Sequence, residues 1–248
     1  MSSPTTAGLA ALVREYYTAG YYATGARNPG SGITPTGALL KATLIDGAVA
    51  LGPSSPAPDF LSGYGRILLS STLAFTGSPF QLRVDDYRTG VTNGSVVLHA
   101  YDVAPGEPLR VTLVWSDYPA ALNAATARVN ELKLEVIDPT GTVWFQTLDG
   151  GGAPQQTSSV AATHDSINVE ERLVFNNPAP GRWVVRVKGV DVPMGPQPFA
   201  LVVRGALSDC PAPASPGTPA MSTSAQHQVQ VSWSGVPGAV AYNVYRSL

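Results

Sequence analysis

Between residues 81 and 204 the chain breaks into eight short runs of β-forming residues, with no helical pattern between them. The runs are Gln81–Val84, Ser95–Tyr101, Leu109–Trp115, Glu131–Ile137, Val143–Gln146, Glu171–Phe175, Trp183–Lys188 and Phe199–Arg204. In Arg110-Val111-Thr112-Leu113-Val114 and Leu132-Lys133-Leu134-Glu135-Val136, apolar residues alternate with polar ones, the period of a strand with one buried face. Pro105-Gly106, Pro139-Thr140-Gly141 and Pro178-Ala179-Pro180-Gly181 supply the turns. Strands that follow one another without crossover helices predict an antiparallel sandwich or jelly roll. The 25 Gly and 22 Pro among 248 residues fit a fold richer in turns than in helix.

The flanks read differently. Residues 4–18 predict a helix, with Ser2 or Ser3 as cap, Pro4 in the first turn, and Leu9, Leu12, Val13 and Tyr16 at helical spacing. Ala7, Gly8, Ala10 and Ala11 are small enough to let another backbone approach, which suits a helix buried in a larger body. Leu9, Leu12 and Val13 are expected to stand exposed without it. A second helix is expected over 35–50, capped by Thr34 and started by Pro35, with Leu39, Leu40, Thr43, Leu44 and Ala48 on one face. Four prolines in residues 209–220 predict an extended linker. Beyond it Gln228–Trp233 and Ala241–Arg246 are two further β-runs, too few residues to bury a core alone.

Charge and composition exclude several classes. Fifteen Lys plus Arg against seventeen Asp plus Glu, net −2, leave no electrostatic basis for nucleic-acid binding. No apolar run reaches the ~18–20 residues of a membrane span. The single cysteine, Cys210, excludes an internal disulfide framework and a cysteine-rich zinc site. Met1-Ser2-Ser3-Pro4-Thr5-Thr6 has no basic n-region, and Arg14 and Glu15 interrupt the apolar stretch, so no signal peptide is expected in this chain.

The titratable residues suggest little chemistry by themselves. His99 lies in a strand beside Tyr101, and His227 lies at the start of the terminal piece; both read as packing or surface residues. His164-Asp165 reads as a polar loop or, more sharply, as a metal or acid–base pair. Asp85-Asp86 reads as a turn at a strand end or as paired carboxylates. No G-x-S-x-G elbow, phosphate loop, H-E-x-x-H or EF-hand loop occurs.

Met1-Ser2-Ser3-Pro4-Thr5-Thr6-Ala7-Gly8 carries the most informative pattern. It resembles the G-T-S-M-[AS]-x-P-x-x-A-G segment of subtilisin-like serine peptidases, matching at Met1, Ser2, Pro4, Ala7 and Gly8. Thr34-Pro35-Thr36-Gly37-Ala38-Leu39-Leu40-Lys41-Ala42 resembles the family's next helix, and Gly63-Tyr64-Gly65-Arg66-Ile67 resembles the segment that closes its catalytic domain. Leu113-Val114-Trp115-Ser116-Asp117-Tyr118-Pro119-Ala120, Asn168-Val169-Glu170 and Val192–Leu201 resemble the jelly-roll domain carried by a branch of secreted bacterial subtilases. Val231-Ser232-Trp233 and Tyr242-Asn243-Val244-Tyr245-Arg246 resemble the opening strands of a fibronectin type III domain.

The resemblance implies a mixed, mainly β chain: the helical remnant of an α/β subtilisin-like catalytic domain over 1–75, then an antiparallel β-sandwich (jelly roll) over 76–207. A Pro-rich linker over 208–220 and a truncated fibronectin type III domain over 221–248 complete it. It further implies a C-terminal fragment of a secreted, extracellular serine endopeptidase. The family nucleophile would immediately precede Met1, and the Asp, His and oxyanion-hole Asn would lie farther upstream. No catalytic or cofactor-binding residue is therefore assigned in this chain, which is expected to be inactive alone. Proteins or peptides would be substrates only through the missing half. Calcium is possible by the same resemblance, with no metal ligand assigned, and Lys133 in Val129-Asn130-Glu131-Leu132-Lys133-Leu134 stands where the branch commonly has an acidic residue. The alternative is a non-enzymatic β-sandwich binding or adhesion module, which leaves 1–70 unexplained.

Overall fold

The computed structural model describes residues 2–52, 58–209, 217–223 and 229–236. Two compact units divide the chain, Met1–Ser208 and Asp209–Leu248. The first unit opens with α1 (Ser2–Thr18), a 3-10 turn (Pro29–Ser31), α2 (Gly37–Asp46) and a single helical turn α3 (Leu69–Thr72). Ten strands follow: β1 (Gln81–Val91), β2 (Val96–Val103), β3 (Leu109–Trp115), β4 (Glu131–Ile137), β5 (Val143–Leu148), β6 (Pro154–Thr157), β7 (Glu170–Phe175), β8 (Gly181–Asp191), β9 (Gln197–Gly205) and β10 (Leu207–Asp209).

They form two sheets, one of order β1-β9-β3-β7 and one of order β10-β2-β8-β4-β5-β6. The paired strands β1–β9, β3–β9, β3–β7, β2–β8, β4–β8, β4–β5 and β5–β6 are antiparallel. Between the sheets lies a core of alternate residues: Val111, Leu113 and Trp115 from β3, Leu132, Leu134 and Val136 from β4, Leu173 from β7, and Val185 and Val187 from β8. The indole N–H groups of Trp115 and Trp183 donate to Asn130 O (3.1 Å) and Ala179 O (2.8 Å), so neither ring carries an unpaired donor into the core.

The four-stranded sheet is buried on both faces. Its second face, with Leu82, Val114, Ala200 and Val202, packs against Val13, Tyr16 and Tyr17 of α1 and Leu39, Ala42 and Ile45 of α2. The polar half of the β3 alternation, Arg110 and Thr112, therefore meets helix rather than water. Val13, expected to stand exposed, is instead fully buried between α2 and the sheet; Leu9 is partly buried and Leu12 keeps half of its surface exposed.

Several boundaries differ from the sequence expectation for local reasons. α1 begins at Ser2, so Ser3 lies inside the helix. α2 begins at Gly37 because Thr36 is its cap: Thr36 Oγ1 accepts Leu39 N–H at 3.1 Å. Asp86 fixes that cap, accepting Thr36 N–H at 3.1 Å and Thr36 Oγ1–H at 2.5 Å. Asp85-Asp86 thus lies inside β1, which continues to Val91 through a bulge after Tyr87. Gly90 makes the bulge possible: its φ is +79°, and a Cβ there would stand 2.8 Å from the carbonyl carbon of Gln197.

Glutamines close the sheet edges. Gln146 Oε1 accepts Arg172 N–H (2.9 Å) and Gln156 Oε1 accepts Val174 N–H (2.8 Å), both on the edge strand β7. At the other side, Gln81 Oε1 accepts Leu207 N–H at 2.7 Å. Edge groups satisfied in this way cannot template pairing with another chain.

In the second unit, β11 (Ala220–Thr223) pairs antiparallel with β12 (Val229–Ser232). β12 falls within the expected run Gln228–Trp233; Ala241–Arg246 and Cys210 lie outside the described residues.

Candidate functional site

The N-terminal half of α1 stands out from the body. Residues 3–8 are exposed, whereas Val13, Tyr16 and Tyr17 anchor the C-terminal half. Tyr16 O–H donates to Ala74 O at 2.7 Å, and Tyr17 O–H lies 2.8 Å from Thr43 Oγ1 on α2. Two apolar grooves run along this helix. One, of about 490 Å³, is lined by Leu12, Tyr16, Tyr21, Leu69, Leu73 and Phe75. The other, of about 390 Å³, lies between α1 and α2 and is lined by Thr6, Ala10, Leu40, Leu44, Tyr64 and Ile67.

The segment Gly63–Ile67 forms the floor of the second groove. Val49 N–H donates to Arg66 O (2.9 Å) and Arg66 N–H to Val49 O (2.8 Å), a bridge that draws the segment against the end of α2. Gly65 permits this approach, with φ +99° and a Cβ position only 2.1 Å from Val49 O. Burial pushes the Tyr64 phenol above its ordinary value, with Glu170 adding to the shift.

His99 and His164 face carboxylates. His99 Nε2 lies 3.1 Å from Asp85 Oδ2, joining β2 of one sheet to β1 of the other. His164 Nε2 pairs with Glu131 Oε1, and Arg128 holds the other oxygen of Glu131 at 3.0 Å. Asp165 bonds elsewhere than its neighbour His164: Oδ1 accepts the N–H groups of Ile167 and Asn168, and Oδ2 accepts the side-chain amides of Gln146 and Asn168. His164-Asp165 is therefore two separate structural contacts, and His227 lies outside the described residues.

These oxygen donors do not fit a cation. Asp165 is committed to four N–H groups, Glu170 Oε2 holds Lys41 Nζ at 2.7 Å, and Lys133 Nζ pairs with Glu135 at 3.1 Å. Among the described residues no group of three His, Cys, Asp or Glu could hold a metal ion. No helix among them is long and apolar enough to cross a membrane.

Sequence reasoning does not single out the buried carboxyl groups of Asp46, at the end of α2, and Glu171, inside the sandwich. Both lie in stretches that read as ordinary amphipathic elements, and their partners come from distant strands.

No family model matches the chain. It is 24% identical over 251 residues to the serine protease/ABC transporter B family protein tagD of Dictyostelium discoideum, covering 83% of this chain and 14% of that protein. To tagA of the same organism, named in the same way, it is 26% identical over 205 residues, covering 79% of this chain and 11% of the relative. The chain thus spans about a seventh or less of the length of these relatives. A solved structure from Sulfurospirillum deleyianum matches over 50% of this chain and 95% of its own, at 7% identity and a TM-score of 0.26. The chain is a distant relative of proteins named serine proteases.

Proposed function

We propose that the chain is the C-terminal part of a secreted subtilisin-like serine endopeptidase. Two helices and a closing segment of the catalytic domain would be followed by a jelly-roll sandwich and a partial fibronectin type III module. The carrying observation is the likeness to proteins named serine proteases, which extends over about four fifths of the chain. The apolar grooves flanking α1 support the reading, since an α/β body laid over them would bury Leu12, Leu40, Leu44 and Ile67. In such a parent, α1 follows the nucleophile, and the partial positive charge at a helix N-terminus favours negative charge developing there. Peptide hydrolysis would proceed through a serine whose proton passes to an Asp-oriented histidine, with an oxyanion site beside it.

Reading the coding DNA upstream of Met1 tests the proposal. A continuous frame supplying Asp, His and Ser motifs and ending in G-T-S is the expected result. The encoded longer chain should then react with a fluorophosphonate serine probe, whereas residues 1–248 alone should not. An upstream frame without these motifs overturns the reading and favours a binding module.

A further inference from the structure

The face that the four-stranded sheet turns toward the helices carries three arginines: Arg204 on β9, Arg110 on β3 and Arg172 on β7. All three meet the C-terminal end of α2. Arg110 Nη1 donates to Asp46 O (3.0 Å) and Ala48 O (3.3 Å). Arg172 Nη2 donates to the same two carbonyls, at 3.4 Å and 3.0 Å. The Asp46 carboxylate accepts Thr112 Oγ1–H through Oδ1 at 3.0 Å, and its Oδ2 lies 3.4 Å from Arg204 Nε. Asp46, Arg172 and Arg204 are all at least nine-tenths buried.

A helix C-terminus ends in carbonyls without intrahelical partners and carries partial negative charge, so guanidinium groups are its natural complement. Buried arginines are costly unless matched. Here the Nη groups of Arg110 and Arg172 meet the carbonyls of Asp46 and Ala48, at and just past the end of α2, and Arg204 faces the Asp46 carboxylate. The Nε of each arginine makes no hydrogen bond among the described residues. The contact extends to α1. Thr43 Oγ1 donates its hydrogen to Leu39 O at 2.7 Å, so Tyr17 O–H of α1 is the donor to Thr43.

We propose that this arginine-lined sheet face is a dedicated seat for the end of α2, making the sandwich the in-cis folding partner of both α2 and α1. The helical segment and the sandwich are then not separable domains. Apolar contact with Val114, Ala200 and Val202 supplies area, and the arginine cluster fixes which helix end sits there. The inference stands on this chain's own packing and does not depend on the peptidase reading.

Hydrogen exchange with peptide-level mass spectrometry on the full 248-residue chain tests it, using substitutions on the sandwich side alone. Thr112→Val removes one hydrogen bond at nearly constant volume; Arg204→Met removes a charge but keeps the side-chain stem. Both are expected to speed exchange in α2 and in the C-terminal half of α1, at least fivefold for Thr112→Val and more for Arg204→Met. Acceleration that also reaches β4 and β8 supports the proposal equally, since helices and sandwich then open together. Wild-type rates in both helices for both variants would overturn the proposal, as would loosening of α2 with α1 unchanged.

Discussion

Glu171 Oε2, on β7, accepts the backbone N–H of Leu134 on β4 at 2.7 Å, a bond that crosses from one sheet of the sandwich to the other. Leu134 lies just beyond the β4–β5 ladder, which pairs Glu135–Ile137 with Val143–Phe145, and the carboxyl reaches it there. Glu171 is fully buried, and its Oε1 has no hydrogen-bond partner among the described residues. Burial pushes the carboxyl well above the usual glutamate range, and the bond from Leu134 only partly opposes this.

A pH dependence follows from that burial. Unfolded Glu171 ionises from about pH 4.3, whereas the folded form holds its proton to higher pH. The unfolded state therefore loses its proton first, and this group's contribution falls as pH rises through that window, by about 1.4 kcal/mol per unit. Below about pH 4.3 both states are protonated and nothing is lost. Glu171→Gln keeps an acceptor for Leu134 N–H and removes the ionisation. Urea unfolding should find the variant as stable as wild type or more so at about pH 8, with the advantage shrinking toward about pH 5. A variant clearly weaker at both pH values would reject this account.

Gln146 should matter more than Gln156, although both cap the same edge strand. Gln146 makes three bonds, to Arg172 N–H, Asp165 Oδ2 and Glu170 O, and is almost fully buried. Gln156 bonds Val174 N–H. Each buried polar group left without a partner costs about 1–3 kcal/mol. Gln146→Leu should therefore lower the unfolding free energy by several times the loss from Gln156→Leu. Equal denaturation midpoints for the two variants would contradict the edge-closing role.

The strands were legible because their apolar residues alternate, and every one of the eight expected runs has a strand over it. Pro154-Gln155-Gln156-Thr157 has no apolar period, so β6 was hidden; Gln156 there serves the neighbouring edge rather than the core. Asp46 and its arginines were hidden for a different reason. Arg110, Arg172 and Arg204 lie on three strands, each looking like the solvent side of a half-buried sheet, and only the helix seated on them shows otherwise. The exposed start of α1 was legible as a pattern, whereas the grooves beside it depend on residues as distant as Ile67 and Phe75.

The tyrosines of the helical layer should resist alkaline titration while the fold persists. Burial, with Tyr22 adding, pushes Tyr16 up to about 12. Burial also raises Tyr17 and Tyr64. Ordinary phenols ionise near pH 10, so unfolded chains titrate first, and these groups' contribution falls as pH rises past about 10. Tyrosinate absorbance at about pH 11 should leave Tyr16, Tyr17 and Tyr64 unionised in the folded chain, whereas in urea the same three should titrate near pH 10. Uniform titration near pH 10 in the folded protein would mean that α1 and α2 are not packed as described.

Leu12 offers the clearest separation of stability from association. Half of its surface is exposed beside Tyr16, Tyr21 and Phe75, while its neighbour Val13 carries the packing onto α2 and the sheet. An apolar side chain in that position gains about 1.5–3 kcal/mol when another surface covers it, and exposed apolar patches drive association. Leu12→Lys keeps helix propensity, removes the apolar surface and adds a charge, so the unfolding midpoint should stay near wild type. Self-association in sedimentation should fall. Val13→Lys is the contrasting variant, since it places an unpaired charge in a fully buried position and should unfold the helical layer. If Leu12→Lys destabilised the chain as much as Val13→Lys, the groove would be part of the folded core rather than a surface awaiting cover.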